Sequence, residues 1–203
     1  LIMEEHTRIL KKLIQTGNTG VRLIYNTNLT ELRYKKQSVL DLWRHFKSVC
    51  VAASLDESHD RAAVIRSGTD WAAVEQNIRD LKAQCPHIDF MISPTLSVMN
   101  IWRFVEFHRY MVESGFIRPQ DFNLNILQSP PEYRIDILPA DIKAEYAAKF
   151  EEHLAWLRDQ DPMQRATGGF EGAIKFMMAQ DRSDLLPEFW RTASDLDWSR
   201  RER

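Results

Sequence analysis

The chain has 203 residues and a mass of 23.8 kDa, with 44% apolar and 28% charged residues. That is enough chain for one core, and it lies outside the disordered and collagen-like classes. Lys and Arg total 27 against 29 Asp and Glu, for a net charge of −2, which removes the general electrostatic case for nucleic acid or an anionic membrane. Two cysteines, Cys50 and Cys85, make no disulfide framework. No stretch reads as a membrane span and no signal peptide opens the chain, so a cytoplasmic protein is expected.

In chain order, residues 4–16 carry Ile9, Leu10, Leu13 and Ile14 at helical spacing, and Gly17-Asn18-Thr19-Gly20 ends the helix. Val21 to Tyr25 reads as a short buried strand. Residues 37–46 form an amphipathic stretch with Val39, Leu40, Trp43 and Phe46. Ser48 to Ala53 is a second apolar run, with Cys50 expected in the core. Trp71, Val74, Ile78 and Leu81 form a helical stripe, with Thr69 or Asp70 as N-cap. Pro86 breaks that pattern just after Cys85, and Ile88 to Ile92 is a third run. Residues 100–113 read as helix, stopped by Gly115, and Phe122 to Leu127 is a fourth run. Trp43, Trp71 and Trp102 are expected to pack on the sheet.

The runs begin near residues 21, 48, 88 and 122, spaced as strand–helix–strand units of roughly 30 residues or more. Short buried strands alternating with helices predict a parallel sheet, open or closed. After Pro130-Pro131 the pattern turns helical. Tyr146, Phe150, Leu154 and Leu157 share one face. Phe170, Ile174, Met177 and Met178 share another after a Thr167-Gly168-Gly169 turn, and residues 184–196 suggest a final helix. Trp190 and Trp198 are expected in the core.

Parallel α/β sheets bind ligands at the carboxyl ends of their strands. Here those ends hold Asn26, Thr27 and Asn28; then Ser54 and Asp56, with His59, Asp60 and Arg61 beyond; then Ser93, Thr95 and Ser97; then Asn125 and Gln128. Such hydroxyl- and amide-rich tips suit hydrogen bonding to a polar organic ligand, although Asn and Ser there also commonly satisfy turn backbone. Asp56 reads equally as a solvated loop residue, and His59 as an exposed one. No Walker loop, G-x-G-x-x-G, G-x-S-x-G or zinc-type cluster is present.

Tyr25-Asn26-Thr27-Asn28 after one strand and Ala53-Ser54-Leu55-Asp56 after the next resemble the third and fourth strand ends of radical S-adenosylmethionine (radical SAM) enzymes. Arg61 to Trp71 resembles the Arg-containing stretch that follows them. Phe90 to Asn100 resembles the fifth strand and its turn, and Asn123 to Leu127 the sixth. The subgroup it resembles carries a twitch-type C-terminal domain. The resemblance implies strands three to six of a partial parallel (β/α) barrel over residues 1–138, with a helical extension over 139–203. It implies a site for S-adenosylmethionine: Ser54 and Asp56 on its ribose or methionyl part, Asn28 lining the same cleft, Arg66 on the methionyl carboxylate, Ser93 and Thr95 facing ribose, substrate or adenine, and Ile126 as an apolar wall for adenine.

The parent chemistry would be hydrogen abstraction by a 5′-deoxyadenosyl radical, with a peptide or protein side chain as substrate by analogy with twitch-bearing relatives. The CxxxCxxC loop that holds the family's [4Fe-4S] cluster and the Gly-Gly-Glu segment are absent from this sequence. The expectation is therefore a fragment starting just downstream of them. It would bind S-adenosylmethionine, carry neither metal ligands nor catalytic residues of its own, and be inactive alone. Two alternatives stand beside this reading: a phosphate-binding (β/α) barrel enzyme, and a non-catalytic interaction domain derived from such a barrel.

Overall fold

The computed structural model describes residues 3–200. Helix α1 (Glu4–Gln15) leads into strand β1 (Arg22–Thr27) and a hairpin of β2 (Arg33–Tyr34) and β3 (Gln37–Ser38). Helix α2 (Val39–Trp43) starts where the Ser38 Oγ accepts from the Leu40 N–H at 3.2 Å, a side-chain N-cap. There follow β4 (Ser48–Ala53), α3 (His59–Ile65), α4 (Trp71–Gln84), β5 (Asp89–Ile92), β6 (Thr95–Leu96), α5 (Phe104–Glu113) and β7 (Asn125–Ile126). Three further helices follow: α6 (Ala140–Leu157), α7 (Arg165–Met178) and α8 (Leu186–Arg200). Asp70 caps α4, accepting from the Ala73 N–H, and Gly115 (φ 69°) ends the segment after α5 in the left-handed region that glycine tolerates. No helix among the described residues is long and apolar enough to cross a membrane.

β1, β4 and β5 form a parallel sheet in the order β1-β4-β5. The fourth run joins it at a bend: Phe122 bridges Ile92, and β7 pairs in parallel with β6. Regular pairing there is confined to Asn125 and Ile126, less than the full run from Phe122 to Leu127. The result is a mixed α/β fold with parallel strands and a helical C-terminal region, and among the described residues the strands do not close into a barrel.

Strand alternation gives the sheet two unlike faces. On one, Val49, Val51, Ala53, Phe90 and Ile92 are buried and join the core with Trp43, Val74, Ile78, Phe104 and Phe107. On the other lie Arg22, Ile24 and Asn26 of β1, all exposed, beside Ala52 and Met91, half-buried. Ile24 is 64% exposed although it sits in mid-strand.

Phe170 joins the helical region to this core. It stacks on Phe122 and meets Phe104 and Phe150 edge-on. The Thr167-Gly168-Gly169 segment is helix rather than the expected turn. A Cβ on Gly169 would stand 2.8 Å from the Leu124 Cβ, so the missing side chain lets α7 lie against the fourth run, and packing overrides glycine's weak helix propensity. Ile9, Trp102, Met178, Trp190 and Trp198 also depart from expectation, all being 45–84% exposed. Trp102 is held outside by Arg61, whose guanidinium lies over its ring. The ring at position 190 leans on Phe189 instead.

A buried histidine pair sits between α5 and α6. The Pro119 carbonyl can only accept, so the His108 Nε2, 3.0 Å away, carries the proton. The His108 Nδ1 must then accept from the His153 Nε2–H at 2.9 Å. This leaves the His153 Nδ1 a bare, buried acceptor without a partner. Burial holds both rings neutral, pushing His108 down to about 4 and His153 to about 3.

Candidate functional site

The carboxyl edge is aligned because the hydrogen-bond ladder outlasts the strands. The Ser54 N–H donates to the Thr27 carbonyl at 2.7 Å, and the Ser93 N–H to the Ala53 carbonyl at 2.8 Å. Two groups of polar side chains are built on this edge.

The first is a polar knot around Asp56, which is buried (7% exposed) rather than a solvated loop residue. Its carboxylate accepts from the Thr95 N–H at 2.7 Å and from the Arg66 Nε at 2.7 Å. The Asn100 Nδ2 donates to the carbonyls of both Asp56 and Thr95 at 3.0 Å, while the Asn100 Oδ1 accepts from the Ser97 N–H at 2.8 Å. Buried charge needs partners of this kind, and these lock the loop after β4 to the loop after β5. A cleft of about 610 Å³ opens beside the knot, within the size range of small-molecule sites. Asp56, Thr95 and Ser97 provide its polar wall, and Val64, Ile65, Met99 and Leu127 its apolar one. Thr192, Asp195, Leu196 and Ser199 of α8 close it from above.

The second group lies on the open face of the sheet. Ser54 and Ser93 continue the rows of Ala52 and Met91. The Ser93 Oγ accepts from the Asn125 Nδ2 at 3.0 Å and lies 3.4 Å from the Asn123 Nδ2. Ser54 is half-buried, and its hydroxyl has no partner among the described residues. Asn28 follows the row of Ile24 and Asn26. It is exposed, and its Oδ1 closes a local turn by accepting from the Thr30 hydroxyl at 3.0 Å.

The seven residues expected at one site thus separate. Asp56, Arg66 and Thr95 meet in the knot. Ser54 and Ser93 stand side by side on the open face, with Asn28 at its edge. Ile126, half-buried, pairs with Leu96 and lines neither group. Arg66 reaches Asp56 and is occupied there, although its side chain is 39% exposed. His59 is exposed as expected, and its ring packs edge-on against Tyr110 at the start of a helix the periodicity did not reveal. Ser97 stands here as one of the expected strand-end residues, whereas Asn100 was not singled out as part of the site. The only prior signal was the polar spacing Ser97-Val98-Met99-Asn100 ahead of a helical stretch.

A [4Fe-4S] cluster does not fit these residues. Cys50 is buried in β4, where burial raises its thiol pKa. Cys85 is buried after α4 with its Sγ on the Leu40 carbonyl at 3.4 Å. The described residues contain no group of three or more His, Cys, Asp or Glu placed to hold a metal ion. No family model, curated protein or solved structure matches the chain.

Proposed function

We propose that the chain is the S-adenosylmethionine-binding part of a radical SAM enzyme, with the cofactor lying across the carboxyl edge of the open sheet face. One observation carries the reading: adjacent parallel strands set Ser54 and Ser93 next to each other, beyond Ala52 and Met91 on the same rows, with Asn125 bonded to Ser93 and Asn26 and Asn28 on the neighbouring row. Donors and acceptors thus line one rim of this face, with Ala52, Met91 and Ile24 behind them, an arrangement suited to a molecule with ribose hydroxyls and an amino acid end. The open face is the concave side of a partial (β/α) barrel in this reading. The Asp56 knot holds the two loops that flank the rim in fixed relation, a positioning role. On accepting one electron from a [4Fe-4S] cluster that these residues do not hold, the cofactor would release methionine and supply a 5′-deoxyadenosyl radical; this chain's residues would bind and orient it. The substrate class in this reading is a peptide or protein side chain, and the compartment is the cytoplasm.

Calorimetric titration of the purified chain with S-adenosylmethionine, S-adenosylhomocysteine and glucose 6-phosphate tests this. The expected result is saturable binding of the two adenosyl compounds and none of the sugar phosphate. Ser54→Leu should weaken that binding by about tenfold or more, since an apolar branch there covers the rim without removing any hydrogen bond in the fold. Binding of the sugar phosphate alone would favour the phosphate-site alternative. No saturable binding, or full retention in Ser54→Leu, would overturn the reading.

A further inference from the structure

A second cleft of about 610 Å³ lies away from the strand ends, between α1 and the β2–β3 hairpin. Helical spacing places Arg8, Lys11 and Lys12 along one wall, and the hairpin turn supplies Lys35 and Lys36 on the other. Five cations therefore share one hollow in a protein whose net charge is −2. The sole carboxylate in the lining is Glu4. It is already engaged, accepting from the Tyr34 hydroxyl at 3.2 Å and pairing with Lys35 at 3.5 Å. Arg8, Lys11, Lys12 and Lys36 are exposed and have no ion pair among the described residues. Such a grouping repels itself unless an anion enters.

The turn carries a second observation. Lys35 sits at φ 54°, the left-handed region where glycine or asparagine is the usual occupant of a two-residue hairpin. A lysine holds it instead, its ammonium over the Tyr34 ring. Strain of this kind, at one of the two turn lysines that face the helix cations, points to a binding role.

We propose that this cleft binds a short phosphate chain, a di- or triphosphate, free or at the end of a nucleotide. A single dianion neutralises too few of the charges, which are spread over two walls, whereas linked phosphates reach both. The site is separate from the sheet edge, and S-adenosylmethionine carries no phosphate, so the two proposals fail independently.

Titration of the chain with inorganic tripolyphosphate and ATP, with sulfate and a single-stranded RNA of about twelve nucleotides as comparisons, tests the proposal. Saturable binding of tripolyphosphate or ATP is expected, at least about tenfold tighter than sulfate and weakening about tenfold between low and physiological salt. ATP binding tighter than tripolyphosphate identifies a nucleotide, and equal binding the phosphate chain alone; either supports the proposal. Lys11→Glu with Lys36→Glu should abolish binding while leaving S-adenosylmethionine titration unchanged. Lys35→Gly, which relieves the turn, should weaken binding without loss of fold by circular dichroism. Sulfate binding as tightly as tripolyphosphate, no effect of Lys35→Gly, or RNA binding tighter per phosphate than tripolyphosphate would each overturn it.

Discussion

Two buried polar arrangements, the Asp56 knot and the His108–His153 pair, solve the same problem differently. Both carboxylate oxygens of Asp56 have donors, one of them an arginine partly open to solvent. The histidines are neutral, sealed among Phe122, Phe170 and Trp156, and end on an acceptor with no donor. The knot sits at the mouth of a cleft and joins loops, while the pair sits at the junction of α5 and α6 and joins the helical region to the sheet. The difference teaches that the first is held together by donors to each of its acceptor atoms, whereas the second keeps a free lone pair at the His153 Nδ1 with neither partner nor solvent to stabilise an added charge.

The largest expected effect follows from that contrast. An unfolded histidine takes up a proton near pH 6.5, whereas folded His108 resists until about 4. Between those values the unfolded chain binds more protons, so stability is full above about pH 7 and falls as pH drops below 6.5. The loss from His108 is on the order of 3 kcal/mol by pH 4, and His153 extends it to about 3. Urea midpoints measured from pH 7 to pH 4 should show this slope, and His153→Gln should flatten it. An unchanged slope in that variant would place the acid sensitivity elsewhere.

Next in size is Asp56→Ala. It leaves the half-buried Thr95 N–H without its acceptor and frees the loop after β5, at a cost of about 2 kcal/mol at pH 7 by urea unfolding. Arg66→Gln should cost less than about 1 kcal/mol, because the guanidinium is partly solvated and Asp56 keeps its bond to Thr95. Equal losses for Asp56→Ala and Arg66→Gln would mean that the ion pair, not the backbone bond, holds the knot.

Most of the fold was legible because its signals are local. Hydrophobic runs marked β1, β4 and β5, the Trp71-Val74-Ile78-Leu81 stripe marked α4, and Asp70 and Gly115 marked boundaries. The hairpin and α3 were not legible, since β2 and β3 span two residues each and α3 has one buried residue, Ala62. The helix through Gly168 and Gly169 depends on Leu124, far away in sequence, which no local propensity encodes. Strand-end residue types located the candidate site region. Their division between knot and open face was hidden because it depends on whether each residue continues the pleat, as Ser54 and Ser93 do, or turns into the loop, as Asp56 does.

The roof over the cleft beside Asp56 comes from the last helix in the described structure. Seating of α8 and occupancy of that hollow are therefore coupled thermodynamically. A molecule lodged there at about 100 times its dissociation constant would tighten the hold on the helix by roughly 2.7 kcal/mol. A partner that drew α8 aside would evict the molecule to the same degree.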